Sequence, residues 1–162
     1  MKGDKKVVGL LVNAGAVVDV LEGESGTPLQ AAAAGGHGGV LELLLKAGAN
    51  VNVKHPFRLH VEVDLRNISY GTGAGVMCET ALQAACVKGD ERVAGLLVSA
   101  GAAVDASGGE CGTPLQAAVA GGHRGVIELL LKANADTNVE NLFHCFTWEG
   151  EVRLGYYRSY LV

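Results

Sequence analysis

Cysteine and histidine offer the widest chemical range in this chain, and their spacing decides what they can do. Cys78, Cys86, Cys111 and Cys145 stand 8, 25 and 34 positions apart. A structural zinc site is built from close pairs such as C-x-x-C, which set two thiolates on one turn. No such pair occurs here, so a metal site is not expected. Cys78 and Cys111 are separated by 33 positions and Ser25 falls at the same place in the recurring pattern, so the recurrence of cysteine reflects duplication. Equivalent residues of stacked units are expected about 8–10 Å apart, whereas a disulfide needs Cα atoms within about 7 Å. The expectation is therefore unpaired thiols.

His37 and His123 share one position of a recurring unit, where Asp4 and Asp90 stand in other copies. Exchange between His and Asp fits a polar turn or a helix cap, and neither a general base nor a metal ligand. His55, His60 and His144 have no partner at ligand spacing. Catalysis needs a nucleophile, a base and an orienting group within hydrogen-bond reach. No such set is nominated, so no catalytic, cofactor-binding or metal-ligating residue is expected and the chain is read as a non-enzyme. Gly71, Gly73 and Gly75 superficially suggest a phosphate loop but lack the Gly-Lys-Ser/Thr ending and the strand–loop–helix setting. Asn67-Ile68-Ser69 matches a glycosylation sequon by pattern alone. The basic start MKGDKK is interrupted by Asp4 and does not read as a secretory signal.

The elements that would have to position any site follow from self-similarity. Gly26–Lys54 and Gly112–Glu140 are near-twins, and Gly3–Lys54 aligns with Gly89–Glu140 at a constant offset of 86 with 36 identities over 52 positions. That level of identity implies duplication of a block containing two units. Each unit carries its own helix signals. Thr113 can cap a helix through its hydroxyl, and Pro114 suits the first helical position, where a missing N–H costs nothing. A short alanine-rich helix, Leu115–Ala120, stops at Gly121-Gly122. A second segment from His123 has an apolar side of Val126, Ile127, Leu129, Leu130 and Leu131. It ends at Asn134 where the twin has Gly48, and both residues tolerate the left-handed conformation that terminates a helix.

Thr27, Pro28, Leu29, Gln30, Ala32, Gly36 and His37, followed by Gly48, Ala49, Asn50, Val51 and Asn52, resemble the ankyrin repeat, whose pattern is T-P-L-H-x-A-A-x-x-G-H and then G-A-D-V-N. Gln30, Gln83 and Gln116 stand where the family has histidine, which alters an inter-repeat hydrogen bond. The turn glycines Gly3, Gly36, Gly89 and Gly122 are spaced 33, 53 and 33 residues apart. Thirty-three is the ankyrin period, so the middle interval carries an insertion of about 20 residues.

The resemblance implies an all-α fold: a short ankyrin-repeat solenoid of about three and a half repeats, with an inserted loop and an irregular C-terminal tail. The array covers residues 1–140, as a half-repeat at 1–25 and repeats at 26–54, 79–111 and 112–140. The insertion is 55–78 and the tail 141–162. In the half-repeat, Val7, Leu10 and Leu11 lack the layer that should cover them, which suggests either a fragment of a longer protein or a partner at that end. In the insertion, Leu59, Val61, Val63 and Leu65 alternate with polar residues, a strand signal, yet a lone strand has nothing in a helical array to pair with. The segment reads as a finger reaching a partner, a poorly ordered insertion, or non-native coding sequence. In the tail, Phe143, Phe146, Trp148, Tyr156, Tyr157 and Tyr160 suggest a cap on the last repeat or an anchor for a partner.

Composition narrows the function classes. With 162 residues and a net charge of −4, the chain is long enough for one core and has no electrostatic footprint for nucleic acid. Its apolar runs are too short to cross a bilayer. The resemblance implies protein–protein interaction by a scaffold or sensor array, similar to those attached to NACHT-type signalling NTPases, in the cytoplasm. No cofactor, membrane or small-molecule substrate is expected. The competing reading is a truncated or degenerate repeat product without independent activity. In the family, partners are met by finger tips and by the exposed side of each first helix. The latter positions are Ala31, Ala34 and Gly35, then Ala84, Val87 and Lys88, then Ala117, Ala120 and Gly121. Alanine and glycine are poor hot-spot residues, so the candidate partner-binding residues are Leu21, Glu22, Glu24, Lys54, Lys88 and Glu110.

Overall fold

A computed structural model of the chain describes residues 3–21, 26–59 and 75–137. Within them run α1 (Lys5–Asn13), α2 (Pro28–Gly35), α3 (Gly38–Lys46), β1 (Phe57–Leu59), β2 (Val76–Cys78), α4 (Ala81–Lys88), α5 (Glu91–Ser99), α6 (Pro114–Ala120) and α7 (Arg124–Lys132). The readings made for Glu22, Glu24, the middle of the insertion and the tail lie outside the described residues. No helix among the described residues is long and apolar enough to cross a membrane.

Each first helix starts as its sequence dictates. The hydroxyls of Thr27, Thr80 and Thr113 accept from the N–H of Gln30, Gln83 and Gln116 at the starts of α2, α4 and α6. Each glutamine folds back, and its Oε1 accepts from the threonine N–H at 2.7, 2.8 and 2.7 Å. Thr-x-x-Gln is thus a complete capping box, two orphan donors satisfied reciprocally. An N-cap threonine alone announces only half of it. Gly36 and Gly89 terminate α2 and α4 in the left-handed region, and Asn134 does so after α7 with φ 60°.

Second helices start in two ways. Asp4 caps α1 by accepting from Lys6 N–H at 2.9 Å, and Asp90 caps α5 by accepting from Val93 N–H at 3.0 Å. His37 and His123, at the same position of α3 and α7, make no capping bond. The capping role expected of this position therefore holds for the aspartates and fails for the histidines. His123 instead donates from Nε2 to the Val87 carbonyl oxygen of the preceding repeat at 3.0 Å. Its ring fills space left by glycine, since a Cβ on Gly89 or Gly121 would fall 2.3 Å from ring atoms.

The helices form two layers. α2, α4 and α6 pack side by side, α1, α3, α5 and α7 line up behind them, and α3, α5 and α7 each rest on the first helix of their own pair. The core lies between the layers, built of Leu29, Leu82 and Leu115 from the first helices and Leu41, Leu44, Val93, Leu97, Val126 and Leu130 from the second. Ala33, Ala84, Ala85, Ala117 and Ala118 are fully buried. Their single methyl groups let neighbouring first helices approach closely. This corrects the expectation that Ala84 and Ala117, with Val87 and Ala120, sit on an exposed helix side: all are buried. Ala31, on α2, is half-buried, and no first helix precedes α2 among the described residues.

The insertion also departs from expectation. β1 has a partner: it pairs antiparallel with β2, Phe57 opposite Cys78, Arg58 opposite Met77 and Leu59 opposite Val76. Phe57, Leu59, Val76 and Cys78 are buried and belong to the same core as the helices. The two ends of the insertion are therefore hairpin strands, and the described part is an ordered member of the fold.

Candidate functional site

The loops between helix pairs form a row of fingers, and the sequence fixes each to the next. Asp19, after α1, accepts the Asn50 N–H at 3.1 Å with both carboxylate oxygens. Asp105, in the equivalent place after α5, accepts the Asp136 N–H at 2.7 Å. Asn52 joins the second finger to the third, accepting from Ala103 N–H at 2.8 Å and donating to the Gly101 carbonyl at 3.0 Å. The recurring G-A-N/A-V-N/D stretches thus hold one another through the side chains of Asp and Asn.

The β1–β2 hairpin docks on the third finger. Glu110 N–H donates to the Met77 carbonyl at 2.8 Å, Met77 N–H donates back to Glu110 Oε2 at 3.0 Å, and Gly109 N–H donates to Glu79 Oε1 at 3.1 Å. Glutamine completes the seam. The Gln83 amide donates to the carbonyls of Ala106, Gly108 and Gly112, and Gln30 donates to those of Val53, His55 and Glu79. One side chain both closes the capping box and ties two fingers.

Against this frame the candidate residues separate. Leu21 is 54 % exposed on the first finger, as is Val17 of the same loop at 71 %. Lys54 is exposed on the second finger, and its Nζ donates to Ser107 O of the third at 3.2 Å. Lys88 is exposed at the end of α4, where its Nζ donates to Ala34 O of α2 at 2.8 Å. Glu110 is engaged with the hairpin, as above, and so serves the frame directly. Val17 joins the candidates; the signal for it in the sequence is an apolar residue in a finger where the equivalent residue is Ala103.

Among the described residues no group of three or more His, Cys, Asp or Glu is placed to hold a metal ion. The thiols do come together, however. Cys111 donates from Sγ to Cys78 Sγ across 3.3 Å, so the 8–10 Å separation expected from their equivalent positions does not apply. That spacing describes helix axes, whereas these cysteines sit on a strand and a finger lying side by side. The hydrogen bond shared with Cys111, which holds the proton between the two sulfurs, and then burial push the Cys78 thiol far above the ordinary thiol range. Burial does the same to Cys86. On the open surface of α7, the Arg124 guanidinium hydrogen-bonded to Glu128 holds that carboxyl below its ordinary value.

Comparison with protein families accords with this architecture. Residues 60–141 match a family profile described as ankyrin repeats in three copies, and residues 1–45 match one described as ankyrin repeats in many copies. None of the curated proteins matches the chain.

Proposed function

The chain belongs to the ankyrin repeat family, and from that premise we propose that it acts as a non-catalytic module binding another protein through its finger side. The observation that carries the reading is the cross-linked row of fingers: Asp19, Asn52, Asp105 and the two buried glutamines hold the backbone of successive tips while Val17, Leu21, Lys54 and Lys88 stay exposed. Such a surface offers an apolar patch at one end and cations further along, which suits a partner segment with an apolar anchor and acidic groups. Glu22 and Glu24, next to Leu21 in the sequence, belong to the same candidate set. The net charge of −4 favours a protein partner over nucleic acid. As a scaffold or sensor array in the cytoplasm, the module would serve a larger signalling assembly.

The test is partner capture followed by surface variants. The variants are Lys54→Glu with Lys88→Glu, Leu21→Ala with Val17→Ala, and Glu22→Ala with Glu24→Ala; the first two pairs change exposed residues outside the core. Loss of binding of roughly tenfold or more by the first two pairs, with helical circular dichroism unchanged, supports the reading. Residues 60–75 can also be replaced by Asn-Gly, because Leu59 and Val76 are paired and a two-residue turn closes such a hairpin. Removing all of 55–78 is a poor test, since it takes core residues with it. Undiminished binding in every variant moves the site off the fingers, and turnover by the purified chain overturns the reading altogether.

A further inference from the structure

The seam between β2 and the third finger brings two buried thiols into direct contact. Cys78 and Cys111 are both fully buried, and their sulfurs must close from 3.3 Å to about 2.05 Å to bond. The backbones on either side of the pair are already joined. Glu110 and Met77 already exchange hydrogen bonds at 2.8 and 3.0 Å on one side of the pair, and a Cβ on Gly109 would lie 3.4 Å from the Cys78 Cα. Cys111 Sγ also points at the Met77 carbonyl, at 3.5 Å.

We propose that Cys78 and Cys111 form a reversible disulfide by exchange with a low-molecular-weight disulfide, latching the base of the hairpin to the third finger. The reaction balances without another reagent. One protein thiol loses its proton and attacks the small disulfide, whose S–S bond breaks and releases one small thiolate. The second protein thiol then loses its proton and attacks the new mixed disulfide, expelling the second thiolate. Two cysteines are oxidised by two electrons in total, one small disulfide is reduced to two thiols, and the two protons pass to the departing sulfurs.

Access controls the rate. The reactive species is the thiolate, which is scarce at a sulfur buried away from water. Exchange therefore passes through local opening of the β2–finger seam, and its rate follows the population of the open form. Once formed, the bond encloses α4 and α5 in a loop of roughly 34 residues. By the chain-entropy account of cross-links, a loop of that size raises Tm by about 10 °C in a domain of this length. The inference is independent of what the fingers bind.

The experiment uses the full reduced chain and oxidised glutathione at pH 8, with alkylation of remaining thiols, intact mass and non-reducing peptide mapping. The expected product has lost two hydrogens, carries a Cys78–Cys111 cross-linked peptide, melts about 10 °C higher, and reverts with dithiothreitol. Cys86→Ala should behave the same. Cys111→Ser should stop at a mixed disulfide or stay unreacted, which also controls for any effect of the reagent on Tm. A cross-link through Cys86 or Cys145, a stable mixed disulfide in the parent chain, or no oxidation of the folded chain while the urea-unfolded chain oxidises would each overturn the proposal. A Cys78–Cys111 bond that lowers Tm overturns the latch.

Discussion

The side-chain amide of Gln30 donates to the carbonyl oxygen of Glu79 at 2.7 Å, across 49 positions of chain. Gln83 makes the corresponding bond to Gly112 across only 29. The difference, 20 positions, is the length of the insertion, so the repeat-to-repeat bond is kept across it. Both glutamines are buried, and each serves several main-chain groups that have lost water.

Replacing Gln83 with leucine should therefore be costly although the shape is similar. The N–H of Thr80 and Glu79 and the carbonyls of Gly108 and Gly112 would lose a partner. Leaving such groups buried and unpaired costs about 1–3 kcal/mol. Urea unfolding should show a lower midpoint at unchanged slope. An unchanged midpoint would mean that water enters and replaces the amide.

Leu97 and Leu11 occupy the same place in the duplicated block, yet Leu97 is fully buried and Leu11 is 55 % exposed. α5 rests on α4, whereas no first helix precedes α1 among the described residues. Leu97→Ala should lose about 2–5 kcal/mol, as core truncations do, and Leu11→Ala should stay within about 0.5 kcal/mol. Hydrogen exchange should rank α4 to α7 as slow and α1 as fast. Equal losses at the two leucines would show that α1 is covered in solution.

Two glycines separate backbone strain from packing. Gly48 and Gly89 both have positive φ, 86° and 71°, but a Cβ on Gly48 meets nothing within 4 Å while one on Gly89 strikes the His123 ring. Gly48→Ala should cost about 1 kcal/mol from conformation alone. Gly89→Ala should cost more, because the imidazole must leave the Val87 carbonyl. Combining Gly89→Ala with His123→Ala should recover part of that excess, measured by a double-mutant cycle.

Most of the helices are legible because their boundaries are local chemistry: Thr-Pro at Thr27 and Thr113, glycine or asparagine at Gly36, Gly89 and Asn134, and apolar spacing in between. The hairpin is less so. β2 has only three residues, too few for alternation to announce it, and so the sequence offers β1 no partner. Burial of Ala84 and Ala117 is hidden for another reason: alanine is compatible with either face, and only the closeness of neighbouring helices decides. The Cys78–Cys111 contact escapes because repeat spacing gives the distance between units and not the lean of side chains across a strand–finger seam. For the candidate surface, residue types mark the exposed finger residues Leu21 and Lys54 and the helix-end residue Lys88, but Glu110 looks the same in sequence whether it faces a partner or, as here, the hairpin.

The buried thiols should make the fold sensitive to alkali. Cys78 and Cys86 have their pKa raised from an ordinary 9.0, the first mainly by the hydrogen bond it shares with Cys111 and the second mainly by burial. Below pH 9 these thiols are neutral whether the chain is folded or not, so they add no pH dependence. Above it the unfolded chain releases their protons while the folded chain keeps them, so the unfolded state binds fewer protons and stability falls as pH rises. Each thiol contributes a slope of about 1.4 kcal/mol per pH unit. Urea midpoints taken between pH 8 and 10.5 should be level at first and then fall. Cys86→Ala should remove about one thiol's share of the slope, and the Cys78–Cys111 disulfide should remove that of Cys78. A midpoint that stays flat to pH 10.5 in the reduced chain would show that these sulfurs ionise as readily in the fold as out of it.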